Sequence, residues 1–524
     1  MIDLLLPALI VVPIVAATMP IAFGLRYDDV GWPIAAVTIL FVLAMAGAVV
    51  RTAFLDPPSS IGIVHELGGW QRPYGIELIA DELSAAMVAL IAIVSAATLV
   101  FSRVAGPRGN AFYAAYLLLV GGLMGMALTG DLFNLFVFLE IVGLTTYALV
   151  AADRSGASAY ASIKYLIVGT VGASLYLVGV GYTFLATGTL NMLDLQASIA
   201  AVGYGDPLVQ AGYAFIVVGF GLKIALFPLH VWQPDAYQRA PDAVTALISA
   251  LVSTAAAYAL LRVTYTVFTV EFLAENPVIT NGILLVAGTS ILLGSALAVM
   301  QSDLKRLFAY SSVAQFGMIV AAIALGNETA LLGGIIHLLG HGLLKFGLFL
   351  AIGLLAYGYD VHRIHDLASL ARRAPYVSGA FVVLGLALVG IPPSVGLLGK
   401  WYIVLGAVEV AGSGDPAGLA IAVVMLLSTL FTLAYVARIV ERLYFAGLEV
   451  DSGGSSSPLA TSGAPTSATD GGRASVERSP ASQIREIPTG AFVVLVAVTL
   501  TAVVLGFAGF TAYDLFEPFL GRMF

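Results

Sequence analysis

The 524-residue sequence contains no cysteine. Disulfides, thiolate metal sites and Cys-ligated iron–sulfur clusters are therefore excluded from this chain, and any electrons in its chemistry are carried by another polypeptide. Charge is scarce too. Only 10% of residues are Asp, Glu, Lys or Arg, against 60% hydrophobic, and the mean hydropathy is +0.99. The charges lean acidic, 31 against 23, and the surplus falls mainly on loops expected to face outward, at Asp56, Glu66, Glu77, Asp81, Asp206, Glu271 and Glu275. Such a chain offers nucleic acid no basic patch. Its composition is that of a polytopic, all-α membrane protein.

Long apolar runs are what the sequence has in abundance. Runs of about 18 to 25 residues cross roughly 30 Å of hydrocarbon as helix, and fourteen candidates stand out: 3–24, 31–52, 82–103, 109–129, 132–152, 160–187, 207–228, 242–268, 277–300, 304–325, 329–357, 377–411, 416–446 and 488–510. The first carries Asp3 and no basic flank, so it reads as a span and not as a cleaved leader. With the N-terminus outside, inner loops collect fifteen of the 23 Lys and Arg, and outer loops hold three, Arg51, Arg72 and Arg522. That asymmetry predicts both termini outside. Residues 448–487 are rich in Gly, Ser, Thr, Pro and Ala and read as a flexible cytoplasmic linker.

The other five cations, Lys164, Lys223, Arg262, Lys345 and Lys400, lie in or near the spans. A central charge costs about 3 kcal/mol on insertion scales, so such groups are expected to pair or to line water. Glu140, mid-run in "DLFNLFVFLEIVGLTTYALV", is the natural partner of Lys223, five residues before Pro228. Two readings stand: a structural ion pair holding helices in register, or a charge centre in which a movable glutamate sets whether the lysine holds its proton. In "GGIIHLLGHGLLKFGLF", His337, His341 and Lys345 recur every four residues and share one helix face. A metal site, hydrogen-bonded structural histidines and a proton relay are the options; further ligands and the glutamate of a metalloprotease helix are missing, and imidazole passes protons near neutrality. In "GIPPSVGLLGKWYIV", Pro392 and Pro393 break an apolar run two turns before Lys400. The seventh run orders lysine then proline and the twelfth proline then lysine. An inverted repeat with paired broken helices produces that reversal. Lys164, near an inner helix end, reads as a snorkelling side chain.

The segments "FPLHVWQPDAY", "SDLKRLFAYSSVAQFGMI", "HLLGHGLLKFGLFLAIG" and "GIPPSVGLLGKWY" resemble signatures of the antiporter-like subunits shared by respiratory complex I, membrane-bound hydrogenases and Mrp-type sodium/proton antiporters, over about residues 75–446. "GGWQRPYGIELIADELSA", "GDLFNLFVFLE" and Lys400 are most similar to the Mrp D subunit. The resemblance implies an N-terminal three-helix segment (1–105), inverted five-helix repeats of helices 4–8 (106–270) and 9–13 (271–447) with helices 7 and 12 broken, the linker, and a last transmembrane helix (488–524). It assigns Glu140 and Lys223 to a first half-channel, His337, His341 and Lys345 to a central relay and Lys400 to the second half-channel. Thr254 stands where the family usually has a bridging lysine; a hydroxyl holds no charge there, so Ser253, Thr254 and water would make the bridge. Arg262 is expected to be structural, since arginine does not titrate.

The implied function is a proton-conducting subunit of a hetero-oligomeric Na+/H+ antiporter in a prokaryotic plasma membrane, with other membrane subunits, H+, Na+ and lipid as its partners and no cofactor. A proton-pumping subunit of a complex I-like or hydrogenase-like redox enzyme and a non-conducting structural subunit are the alternatives.

Overall fold

The computed structural model describes residues 2–446 and 485–524; most of the expected linker lies outside the described residues. The helices in chain order are α1 (Leu5–Gly24), α2 (Gly31–Leu55), α3 (Glu82–Ala105), α4 (Asn110–Leu128), α5 (Leu132–Val150), α6 (Gly156–Thr187), α7 (Met192–Val202), α8 (Pro207–Ile224), α9 (Gln233–Arg239), α10 (Asp242–Arg262), α11 (Thr269–Glu275), α12 (Pro277–Val299), α13 (Leu304–Ala324), α14 (Glu328–Tyr359), α15 (Leu370–Arg373), α16 (Pro375–Val389), α17 (Val395–Gly412), α18 (Pro416–Tyr444), α19 (Thr489–Val504) and α20 (Gly509–Met523). A π turn, Val263–Phe268, continues α10 into α11.

Among the described residues fourteen helical stretches are long and apolar enough to span a membrane. They coincide with the expected runs, and several of those runs are started by a side chain that satisfies one of the first free N–H groups. Asp81 caps α3, Asp131 caps α5 and Ser394 caps α17, each accepting from the N–H three residues on. Both expected breaks are present. The seventh span stops at Ile224 and resumes as α9, and the twelfth run divides into α16 and α17, with Gly390 at φ +100° ending the first piece.

Three pieces were not anticipated. Strands β1 (Ile63–Glu66) and β2 (Glu77–Ala80) pair antiparallel between α2 and α3. The short α7 lies between α6 and α8. Beyond the last span, α20 turns back on the molecule and buries Phe516, Phe519 and Leu520.

Helices α10, α13 and α14 form the centre, buried around nearly their whole circumference, whereas α1 and α2 remain largely exposed. The central helices carry the serines, threonines, histidines and lysines that a lipid-facing helix would exclude. α6 packs on α8 much as α14 packs on α17, so each broken helix lies against a long unbroken one.

Candidate functional site

On α5, Glu140, Gly143 and Tyr147 fall at helical spacings of three and four and stack on one side. Gly143 makes room there: a Cβ would come within 3.1 Å of both the Lys223 amine and the Tyr147 hydroxyl. Lys223 Nζ reaches to 3.5 Å from Glu140 Oε1 and 3.3 Å from the Tyr147 oxygen. The lysine is 5% exposed and the glutamate 25%, so the pair runs from the interior to the lateral surface. Phe133, Val137 and Leu144 are exposed along α5. At 3.5 Å the charges attract without a short hydrogen bond, and Glu140 Oε1 receives none among the described residues.

The break that follows is held open by side chains. In an uninterrupted helix the Lys223 carbonyl would accept from the Phe227 N–H. That N–H donates instead to Ser290 Oγ at 3.1 Å, and Ser253 Oγ donates to the Lys223 carbonyl at 3.2 Å. The Leu222 carbonyl takes the Trp232 indole N–H at 2.8 Å.

Toward the centre, His337, His341 and Lys345 are at most 2% exposed. His337 Nε2 lies 2.9 Å from Gln315 Oε1 on α13. Its Nδ1 and both nitrogens of His341 have no partner among the described residues. The two rings are 6.4 Å apart, and Phe316 packs edge-on against His341 at 4.6 Å. Lys345 Nζ donates to the Phe308 carbonyl and to Ser311 Oγ, both at 2.9 Å, and Ser311 accepts from Tyr435 at 3.0 Å.

Lys400 fills the second break, its Nζ 2.8 Å from the Leu388 carbonyl and 3.1 Å from that of Val389. Neither Lys345 nor Lys400 has a carboxylate within 4.0 Å among the described residues.

Between the halves, Ser253 engages the Lys223 backbone and not its amine. Thr254 is fully buried with its hydroxyl unpartnered among the described residues, and its methyl lies against Gly342, the neighbour of His341. No direct hydrogen bond joins Lys223 to either histidine among the described residues. Arg262 pairs with Asp81 at 2.5 Å. Burial would push the Asp81 carboxyl up, but the Arg262 guanidinium, the Ser84 N–H and Arg522 hold it below the usual carboxylate range.

Lys164, expected to snorkel, is partly exposed and pairs with Asp235 at 2.6 Å, and Arg306 pairs with the same carboxylate at 3.0 Å. Beside them Lys305 pairs with Asp242 at 2.5 Å. Tyr147, Ser311, Gln315, Tyr435 and this cluster were missed by inspection of the sequence. A signal existed for some: Ser311 and Gln315 are four residues apart in an apolar run, and Tyr147 lies seven after Glu140.

Amines, imidazoles and a carboxylate are groups that can hold and release protons. The family described as NADH:quinone oxidoreductase/Mrp antiporter, TM matches residues 129–439. The N subunit of the NADH-quinone oxidoreductase of Desulforudis audaxviator (strain MP104C) is 43% identical over 73% of this chain and 75% of that protein. The D subunit of the Na(+)/H(+) antiporter of Bacillus subtilis (strain 168) is 30% identical over 76% and 78%. A chain in the structure of the membrane-bound sulfane sulfur reductase, an archaeal respiratory membrane complex, superposes with a TM-score of 0.85 at 28% identity, covering 99% of this chain and 97% of that one. The chain belongs to the NADH:quinone oxidoreductase/Mrp antiporter transmembrane family, whose members serve both redox complexes and cation/proton antiporters.

Proposed function

We propose that this chain conducts protons across the membrane as one subunit of a multisubunit monovalent cation/proton antiporter. The observation that carries the reading is the series Lys223, His337, His341, Lys345 and Lys400: five buried nitrogen bases, for which Glu140 is the one acidic partner among the described residues. A lysine held by carbonyls and hydroxyls has no counter-charge to lock its proton in place, and it serves by alternating between ammonium and amine. Glu140 controls the first lysine through a long contact that a small displacement opens.

Glu140 also shares its helix with exposed apolar residues, which suits a lateral face covered by a neighbouring membrane subunit. The reversed order of lysine and break in the seventh and twelfth spans, with α6 on α8 and α14 on α17, supports two inverted repeats around the central relay. The Lys and Arg asymmetry supports both termini outside a prokaryotic plasma membrane.

The 43% identity to an oxidoreductase subunit favours a second reading, in which the same path is worked by a redox enzyme in partner chains. Inverted vesicles from an antiporter-deficient host expressing the whole gene cluster distinguish the two. Proton-gradient dissipation on adding sodium, lost in Lys223→Ala, identifies the antiporter. No sodium response from an assembled complex, with proton uptake on adding a reductant and quinone, identifies the redox pump.

A further inference from the structure

The loops after even-numbered spans share the side of the N-terminus, and several of them border a chamber of about 230 Å³ with both polar and apolar walls. Asp81, Thr129, Arg262, Thr266 and Arg522 line it. One wall is α10 and its π continuation, on which Thr254, Tyr258, Arg262 and Thr266 recur every four residues. They form a polar stripe from the level of His341 to the chamber. At either end is a buried hydroxyl, of Thr254 and of Thr266, with no partner among the described residues.

Between them the stripe is hydrogen-bonded. Tyr258 donates to the Ala127 carbonyl at 2.7 Å and lies 2.9 Å from Ser84 Oγ. The Ser84 N–H donates to Asp81 Oδ1 at 2.9 Å, and Asp81 Oδ2 takes Arg262 at 2.5 Å. From the far side Arg522, on α20, pairs with Glu82, approaches Asp81 to 3.8 Å and donates to the Ser60 carbonyl at 3.0 Å. The guanidinium groups of Arg262 and Arg522 lie 5.8 and 5.9 Å from the Phe519 ring.

We propose that this stripe is a second, outward branch of the proton path, leaving the centre at Thr254, and that the Asp81–Arg262 pair is its gate, latched by Arg522 of α20. The proposal rests on the proton-conducting reading above. The two guanidinium charges are matched by the carboxylates of Asp81 and Glu82, so the resting gate has no excess negative charge to draw a proton in and is tied shut. Withdrawing α20 removes one guanidinium charge, leaves the carboxylates in excess and opens the chamber further to water, which then reaches Asp81 and, beyond it, the paired hydroxyls of Ser84 and Tyr258 on the stripe. The proton enters as hydronium at one end and leaves at the other, and the hydroxyls regain their own protons by rotation. Such an outlet suits a chain in which the bridging position toward the second half is a threonine.

The test uses the whole complex in proteoliposomes, with a potassium diffusion potential and no sodium or electron donor, reading passive proton entry with a pH dye. Arg522→Ala is expected to raise that leak several-fold, and adding Tyr258→Phe is expected to return it to the wild-type rate. An unchanged leak in Arg522→Ala, or a raised leak that Tyr258→Phe does not reduce, overturns the proposal. Since the chain has no cysteine, Thr266→Cys supplies a second readout in intact cells. An impermeant maleimide should label it much faster when Arg522→Ala is present, and equal labelling counts against the latch. Failure of the conducting reading is separate: it shows as coupled transport surviving in Lys223→Ala, whatever the leak.

Discussion

Lys400 Nζ lies 2.8 Å from the carbonyl oxygen of Leu388, the carbonyl whose partner in an unbroken helix would be the N–H of residue 392. Residue 392 is proline and has no N–H; residue 393, also proline, leaves the Val389 carbonyl free in the same way. The lysine takes both. A sequence-level break thus makes a binding place for an ammonium group inside the membrane, and a hydrogen-bond donor two turns along the next helix occupies it.

That relationship separates charge from titration. Arginine keeps the positive charge and the donors but does not release its proton. Lys400→Arg is therefore expected to lower coupled proton transport at least tenfold in an assembled complex, close to the effect of Lys400→Ala, as read by dye quenching in vesicles.

At the first half-channel the room beside the lysine matters as much as its charge. A methyl at Gly143 would lie within 3.1 Å of both the Lys223 amine and the Tyr147 hydroxyl. Gly143→Ala should push the amine off Glu140 and slow transport about tenfold, equivalent to ~1.4 kcal/mol. Tyr147→Phe removes one hydrogen bond and leaves the ion pair, so a loss of only a few-fold is expected in the same assay.

Asp131 gives a prediction about stability. Its carboxyl caps α5 by accepting from the Asn134 N–H at 2.7 Å, yet burial pushes it above the usual range. The folded protein then binds that proton more tightly than the unfolded chain. Its contribution is fully present below the unfolded carboxylate's pKa of about 3.9 and is lost as pH rises through the higher folded value. Asn keeps the cap and carries no charge. In detergent, Asp131→Asn should raise the melting temperature at pH 8 relative to wild type, and the gain should shrink as the pH is lowered toward 4.

Thr254→Lys places a titratable amine at a fully buried site beside Gly342, where the sequence resemblance implies a bridging group. If protons cross between the halves there, conduction through the assembled complex should be preserved or raised. Complete loss would mean that this chain uses a different route.

The spans were legible because apolar runs of membrane length and capping residues such as Asp81, Asp131 and Ser394 are written locally. The breaks were legible because proline removes a donor wherever it stands. Contacts that depend on which helices become neighbours were not. That Lys164 would find Asp235 depended on where α9 lies, and Asp81 and Arg522 looked like loop charges until the hairpin and α20 folded over the end of α10. Lys223 and Glu140 lay between these cases: opposite charges in apolar runs demanded a partner, and the sequence held few to choose from.

The most direct test compares coupled proton transport in vesicles carrying the assembled complex with wild-type, Lys223→Ala, Glu140→Ala and Lys345→Ala chains. Loss of transport in all three variants, with the assembly's composition unchanged, is the expected result. Normal transport in all three would contradict the assignment of these buried groups to a proton path.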